Sequence, residues 1–136
     1  MRAIAIFGLL ACLSTSALPQ SPTGPSPHGG QVRMAGPYRL ELLSRRGEIV
    51  IHVTDRAGSP VDTAGGKGKA VVHTDGRSVT IPLQAAGPSS LSGHGRYHLK
   101  HSSVIYVTVN LKHARAHHAV FRPLADAIEP AGDSRH

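Results

Sequence analysis

Short runs in which apolar and polar residues alternate, separated by glycine-containing turns, constrain the fold of this chain most strongly. Ile105, Val107 and Val109 alternate with polar residues in one such run. Alternation with a period of two places the apolar side chains on one face of a β-strand. Asp75-Gly76 lies between two further alternating runs, and this dipeptide is the strongest short signal for a two-residue hairpin. The pattern therefore predicts antiparallel strands joined by short connections.

About seven such strands with no helical periodicity between them predict an all-β fold. We expect a small antiparallel β-sandwich of immunoglobulin-like arrangement, although the Cys/Trp core of true immunoglobulin domains is absent. Fifteen Gly and ten Pro disfavour long helices, and the scarcity of aromatic residues leaves an aliphatic core. Pro82 cannot donate to a β-ladder, which places its strand at a sheet edge or close to the end of the strand.

The N-terminus has the layout of a secretory signal peptide. Arg2 precedes nine apolar or small residues, 3–11, and Thr15-Ser16-Ala17 supplies the small residues of a cleavage site after Ala17. An alternative is a lipoprotein signal, in which Cys12 is lipidated as the new N-terminus. Both interpretations predict a periplasmic or secreted protein. No later apolar stretch approaches the ~20 residues of a membrane-spanning helix, so no transmembrane segment is expected in the mature chain.

The sequence predicts four segments. Residues 1–17 form the signal peptide, and residues 18–30 form a linker rich in Pro, Ser and Gly. The predicted β-sandwich covers residues 31–124, and a flexible C-terminal tail covers residues 125–136.

The charge balance is basic, with 15 Lys+Arg against 8 Asp+Glu and a formal net charge of +7. Apart from Arg45-Arg46 the basic residues are scattered, and few aromatic residues are present to stack on bases. An exported chain does not meet cytoplasmic nucleic acid. The charge therefore predicts no nucleic-acid partner, and the natural anionic neighbours of the protein are envelope lipids and polysaccharides.

No pattern for catalysis emerges. A nucleophile needs an adjacent base and an orienting group, and no Gly-x-Ser-x-Gly motif is present. The only Cys, Cys12, leaves with a signal peptide that is cleaved after Ala17. Glu41 and Glu48 fall on predicted strand surfaces, where acids are usually solvated, and residues 65–69 lack the spacing of a phosphate-binding loop. We therefore expect a non-enzymatic protein.

Histidine is the compositional anomaly, with ten residues in 136. Neutral imidazole binds Cu²⁺ and Zn²⁺ well, and separate strands can contribute to one site. Each single His is more simply a solvated strand or turn residue, as His52 and His73 are expected to be, so only the collective excess favours a metal. His117 and His118 point to opposite faces of a strand, so only one of the two can join a given site. The candidate ligands are His28, His94, His98, His101, His113 and His117.

Several short motifs carry a resemblance to a known group of proteins. They are Pro27-His28-Gly29-Gly30, Leu40-Glu41-Leu42, a strand over 49–55, Gly58-Ser59-Pro60-Val61 and the closing Phe121-Arg122-Pro123-Leu124. In this order they resemble small exported His-Gly-Gly proteins of Gram-negative bacteria. They are also similar to an N-terminal segment of some periplasmic adaptor subunits of heavy-metal efflux pumps. The resemblance implies a periplasmic β domain associated with metal handling, with His28 as a candidate ligand. The chain lacks the hairpin and barrel domains of a full adaptor.

Two functions follow from these observations. The first is an exported β domain that binds copper or zinc as an accessory to heavy-metal resistance or efflux, with metal-efflux components of the envelope as partners. The alternative is a non-metal interaction module, whose open edge strand or basic face binds another envelope protein or an anionic surface. The first predicts metal-dependent behaviour, and the second predicts salt-dependent binding that is indifferent to a chelator.

Overall fold

The computed structural model describes residues 26–112 and 114–124, and this part of the chain forms eight β-strands and no helix. The strands are β1 (Gln31–Ala35), β2 (Tyr38–Arg45), β3 (Glu48–Asp55), β4 (Lys67–Thr74), β5 (Arg77–Ala85), β6 (Ser90–His94), β7 (Val104–Asn110) and β8 (Ala116–Phe121).

All eight strands belong to one antiparallel sheet with the order β1-β2-β3-β6-β5-β4-β7-β8. The sheet curls until its first and last strands meet. The side-chain amide of Gln31 donates to the carbonyl of Arg122 at 3.2 Å, and its oxygen accepts from the Arg122 N–H at 2.7 Å. The result is nearly a barrel.

The all-β antiparallel prediction is confirmed, but the arrangement of the strands differs from the expected sandwich. β3 pairs with β6, and β4 pairs with β7, so these non-consecutive strands join the hairpins into one continuous layer. The inner face of a strongly curved sheet packs on itself, as the two facing sheets of a sandwich do. Strand spacing along the sequence does not distinguish the two arrangements, because both bury the same alternating residues.

In two of the hairpins, a two-residue turn connects the two strands. Asp75 and Gly76 have φ angles of 52° and 75°, and Arg46 and Gly47 have φ angles of 37° and 81°. Two successive residues with positive φ match the twist of the strands that they join. The hairpin predicted at Asp75-Gly76 is therefore confirmed.

The core lies on the inner face of the curled sheet and is mainly aliphatic, and among the described residues Phe121 is its one fully buried aromatic side chain. Leu40, Ile51 and Val107 are fully buried, in agreement with the alternation of the sequence. Burial of such a side chain contributes roughly 1.5–3 kcal/mol. The fully buried large side chains are Phe121, Leu40, Ile49, Ile51, Ile81, Leu83, Leu91, Ile105, Val53, Val72, Val107 and Val109.

β5 is an interior strand of the sheet with one partly open side. It pairs with β4 from Arg77 to Gln84, but it pairs with β6 only at Gln84 and Ala85. Pro82, which has no N–H to donate, precedes this short ladder. The prediction was an edge strand or a position near the end of a strand, and in the structure Pro82 has a ladder partner on β4 but none on β6.

The described residues contain no helix that is long and apolar enough to cross a membrane.

Neighbouring residues on β8 test the assignment of its faces. Phe121 is fully buried, whereas Val120 is 45% exposed on the opposite face. We expect Phe121→Ala to lower the free energy of unfolding by about 3–5 kcal/mol through the cavity it leaves. Val120→Ala should change it by no more than about 0.5 kcal/mol. Urea unfolding measures both values, and equal losses would contradict the assigned faces.

Candidate functional site

A buried carboxylate lies on the outer face of the sheet. Leu40 and Leu42 point into the core, so Glu41 between them points outward, opposite His52 on β3. Glu41 is nevertheless only 4% exposed. Residues 26–30, which precede β1, fold back over this carboxylate and contribute most of its hydrogen bonds.

Both oxygens of the Glu41 carboxylate accept hydrogen bonds from this segment. Oε2 accepts from the backbone N–H of Gly30 at 2.8 Å, from the backbone N–H of His28 at 3.0 Å, and from the Ser26 hydroxyl at 2.9 Å. Oε1 lies 2.8 Å from Nδ1 of His28. A buried charge is costly unless its hydrogen bonds are supplied, and here they are.

The two glycines after His28 make this close approach possible. Gly29 has a φ of 78°, which an L side chain rarely adopts. A Cβ atom on Gly30 would collide with the carbonyl oxygen of Leu42 and lie 2.9 Å from Cγ of Glu41. The His-Gly-Gly motif thus allows the backbone to approach another group closely. In the structure it folds around the carboxylate of Glu41.

The hydrogen bonds fix the ionisation of Glu41 and the tautomer of His28. Burial raises the pKa of Glu41, but the hydrogen bonds from the His28 ring, Gly30, Ser26 and the His28 backbone outweigh it and hold the pKa below 4.5. The carboxylate is therefore ionised at neutral pH and can only accept. Nδ1 of His28 must then carry a proton, and in a neutral ring this leaves the lone pair on Nε2.

His52 completes the cluster. Its ring stacks on that of His28 with centroids 3.8 Å apart and planes inclined by 10°. Burial, together with the nearby His28, lowers the pKa of His52 below 6.5, and Glu41 opposes the shift. His52 is thus neutral at pH 7, and its ring nitrogens form no hydrogen bond with the described residues.

The two rings line an open cavity of about 290 Å³ on the outer face. The side chain of His28 is 49% exposed there. Glu48 also lines the cavity, and it binds Nε2 of His94 on β6 at 2.7 Å. Glu48 and His52 are four residues apart on β3, about 13 Å along the strand, so the Glu48–His94 pair lies apart from the His28–His52 pair.

The other predicted ligands are dispersed. His98 and His101 lie on the β6–β7 connection, where Nδ1 of His101 is 3.2 Å from the Leu124 carbonyl oxygen. The ring of His117 on β8 packs edge-on against the ring of Tyr38, with their centroids 5.4 Å apart. His113 lies outside the described residues. The structure therefore does not bring together the five predicted residues that it describes.

Within residues 26–112 and 114–124, no group of three or more His, Cys, Asp or Glu side chains is arranged to hold a metal ion. The cluster that does form combines one predicted ligand, His28, with two residues expected to be ordinary strand positions, Glu41 and His52. The alternation that places Glu41 and His52 outward on adjacent strands was visible in the sequence. No pattern in the sequence indicated that residues 26–30 cover these two side chains.

No protein-family model matches the chain, and comparison with curated proteins and with solved structures finds no match either.

The buried carboxylate predicts a specific acid sensitivity. Because the folded-state pKa of Glu41 lies below 4.5, its ionised form stabilises the fold above that pH, and this stabilisation is lost as the pH falls through the folded-state pKa. Glu41→Gln should lower the free energy of unfolding at pH 7 by about 1–3 kcal/mol, the range for charge-assisted hydrogen bonds. This difference in the free energy of unfolding between Glu41→Gln and the unaltered protein should become smaller in acid, where Glu41 is protonated.

Urea unfolding at a series of pH values, from about pH 7 to about pH 3, measures this difference. A ¹³C NMR titration of the Glu41 carboxyl measures its pKa directly. A deficit that stays constant across the series, or a carboxyl that titrates at or above 4.5, would show that the hydrogen bonds do not hold the charge.

Proposed function

We propose that the chain is an exported β domain that binds Cu²⁺ or Zn²⁺ at the His28–His52 pair, as an accessory to heavy-metal resistance or efflux. The observation that carries the proposal is the hydrogen bond between Nδ1 of His28 and the buried Glu41 carboxylate, 2.8 Å long. It orients one imidazole, and the His28 side chain that carries it is 49% exposed.

Metal-binding histidines usually donate their second ring N–H to a carboxylate or carbonyl oxygen, which fixes the tautomer and makes the coordinating nitrogen more basic. Glu41 has this relation to His28. Its two oxygens are already occupied by residues 26–30, so Glu41 positions the ligand and does not coordinate the ion.

His52 supplies the second imidazole. It is neutral at pH 7 and lies beside His28 in an open cavity. Because the two ring planes are nearly parallel, with centroids 3.8 Å apart, joint coordination of one ion requires one ring to rotate. Water or a residue of a partner protein fills the remaining positions. Neutral imidazoles are suited to Cu²⁺ and Zn²⁺.

A two-imidazole site with open positions suits an accessory role. Structural zinc sites are closed by four protein ligands and retain their ion, whereas an open site exchanges ligands. An ion held by His28 and His52 can pass to a ligand set on another protein. The proposed partners are metal-efflux components of the cell envelope, and no enzymatic activity is invoked.

Calorimetric titration of the purified protein with Cu²⁺ and with Zn²⁺ tests the proposal. We expect one ion per chain, and an affinity that falls at least about 10-fold in His28→Gln and in His52→Gln. His73→Gln is the matched control, because His73 is also a strand residue whose Nδ1 is hydrogen-bonded, at 2.8 Å to the Ser78 hydroxyl. This variant should retain the affinity of the unaltered protein.

Glu41→Gln separates positioning from coordination. Loss of the carboxylate should weaken binding by about 10- to 100-fold without changing the stoichiometry. Thermal unfolding of each variant shows whether it is folded at the titration temperature. Equal affinity in all four variants, or no binding by a folded protein, would overturn the proposal and favour the non-metal interaction module.

A further inference from the structure

A second cavity opens at one end of the curled sheet, away from the His28–His52 pair. Residues 95–103, called the cap segment, connect β6 to β7 across this end. The hydroxyl of Tyr97 donates to the carbonyl of Glu48 at 3.0 Å and lies 2.6 Å from the Ser44 hydroxyl. The Thr74 hydroxyl donates to the carbonyl of His98 at 3.0 Å. The cap segment is thus attached to both the β2–β3 and the β4–β5 hairpins.

The cavity lies between the cap segment and the inner face of the β4–β5 hairpin. Its volume is about 570 Å³, which falls within the ~300–1,000 Å³ typical of small-molecule sites. Val72, Val79 and Tyr97 give it an apolar lining. It forms where β5 has no ladder with β6, so a loop and not a strand closes this side.

The charges around this cavity are mostly positive. Arg77 shares the inner face of β5 with Val79 and marks the point where the apolar face ends, and Arg96 approaches from the cap segment. Lys100 forms an ion pair with Asp75. Arg77 and Arg96 form no hydrogen bond or ion pair with the described residues. Two guanidinium groups are therefore available beside an apolar cavity.

We propose that this cavity binds a small anionic amphiphile, namely a medium-chain carboxylate. The carboxylate head lies between Arg77 and Arg96, and the apolar chain lies along Val72, Val79 and Tyr97. Guanidinium groups bind carboxylates through charge-assisted, often bidentate hydrogen bonds. Ligand sites commonly combine an apolar lining with a few placed polar groups, and they occur in the mouths of β-barrels. The inference does not depend on the metal site, because the two share no residue.

Decanoate, kept below its micellar concentration, is the probe. Calorimetry of the full chain should show saturable binding of decanoate, and decylammonium should bind at least about 10-fold more weakly because its charge is reversed. The double variant Arg77→Gln/Arg96→Gln should weaken decanoate binding by at least about 10-fold. Arg115→Gln is the matched control, because Arg115 is exposed near the start of β8, at the opposite end of the sheet.

Val79→Phe tests the apolar part separately, since the larger ring fills the cavity and leaves both guanidinium groups in place. It should weaken decanoate binding in a protein that still unfolds cooperatively. The proposal would be overturned if neither the Arg77→Gln/Arg96→Gln double variant nor Val79→Phe weakened decanoate binding. Equal binding of decanoate and decylammonium would also overturn it. Binding to anionic phospholipid vesicles without binding of free decanoate would also overturn the proposal. Such a result would show that the basic surface attracts anionic membranes and that the cavity takes no ligand.

Discussion

The buried carboxylate of Glu41 is the interaction on which the rest of the candidate site depends. A charge at 4% exposure on the outer face of a sheet requires donors from elsewhere. Residues 26–30 supply them through two backbone N–H groups, a hydroxyl and an imidazole. The same contacts place His28 over His52, and they lower the pKa of Glu41. One buried charge therefore positions residues 26–30, orients the imidazole of His28 and brings it over His52, which becomes partly desolvated.

The sequence predicts the strands and core of this protein well, because burial repeats every second residue and is a local property. Ile105, Val107 and Val109 are all buried as expected. The candidate site depends on contacts distant in sequence, such as the approach of His28 to Glu41. Sequence proximity was also a poor guide to ligand sets. His94 ends a strand and pairs with Glu48, whereas His98 and His101 lie on the connection that follows.

The two proposed sites use opposite faces of one sheet for opposite chemistry. On the outer face, ionised Glu41 orients the imidazole of His28 beside the neutral imidazole of His52, and ring nitrogens of this kind suit a cation. At the open end, Arg77 and Arg96 border an apolar cavity, which suits an anion with an apolar chain. The first site forms where residues 26–30 fold over the outer face of β2, and the second forms where β5 loses its β6 partner.

The tautomer of His28 is the most direct test of this account. The ¹⁵N chemical shifts of its ring nitrogens, measured by NMR above the range in which imidazole titrates, report which nitrogen carries the proton. We expect a proton on Nδ1, hydrogen-bonded to Glu41, and an Nε2 that carries no proton. In Glu41→Gln the population of this tautomer should fall. A proton on Nε2 in the unaltered protein would contradict the account, because the lone pair offered to a metal would then face the carboxylate.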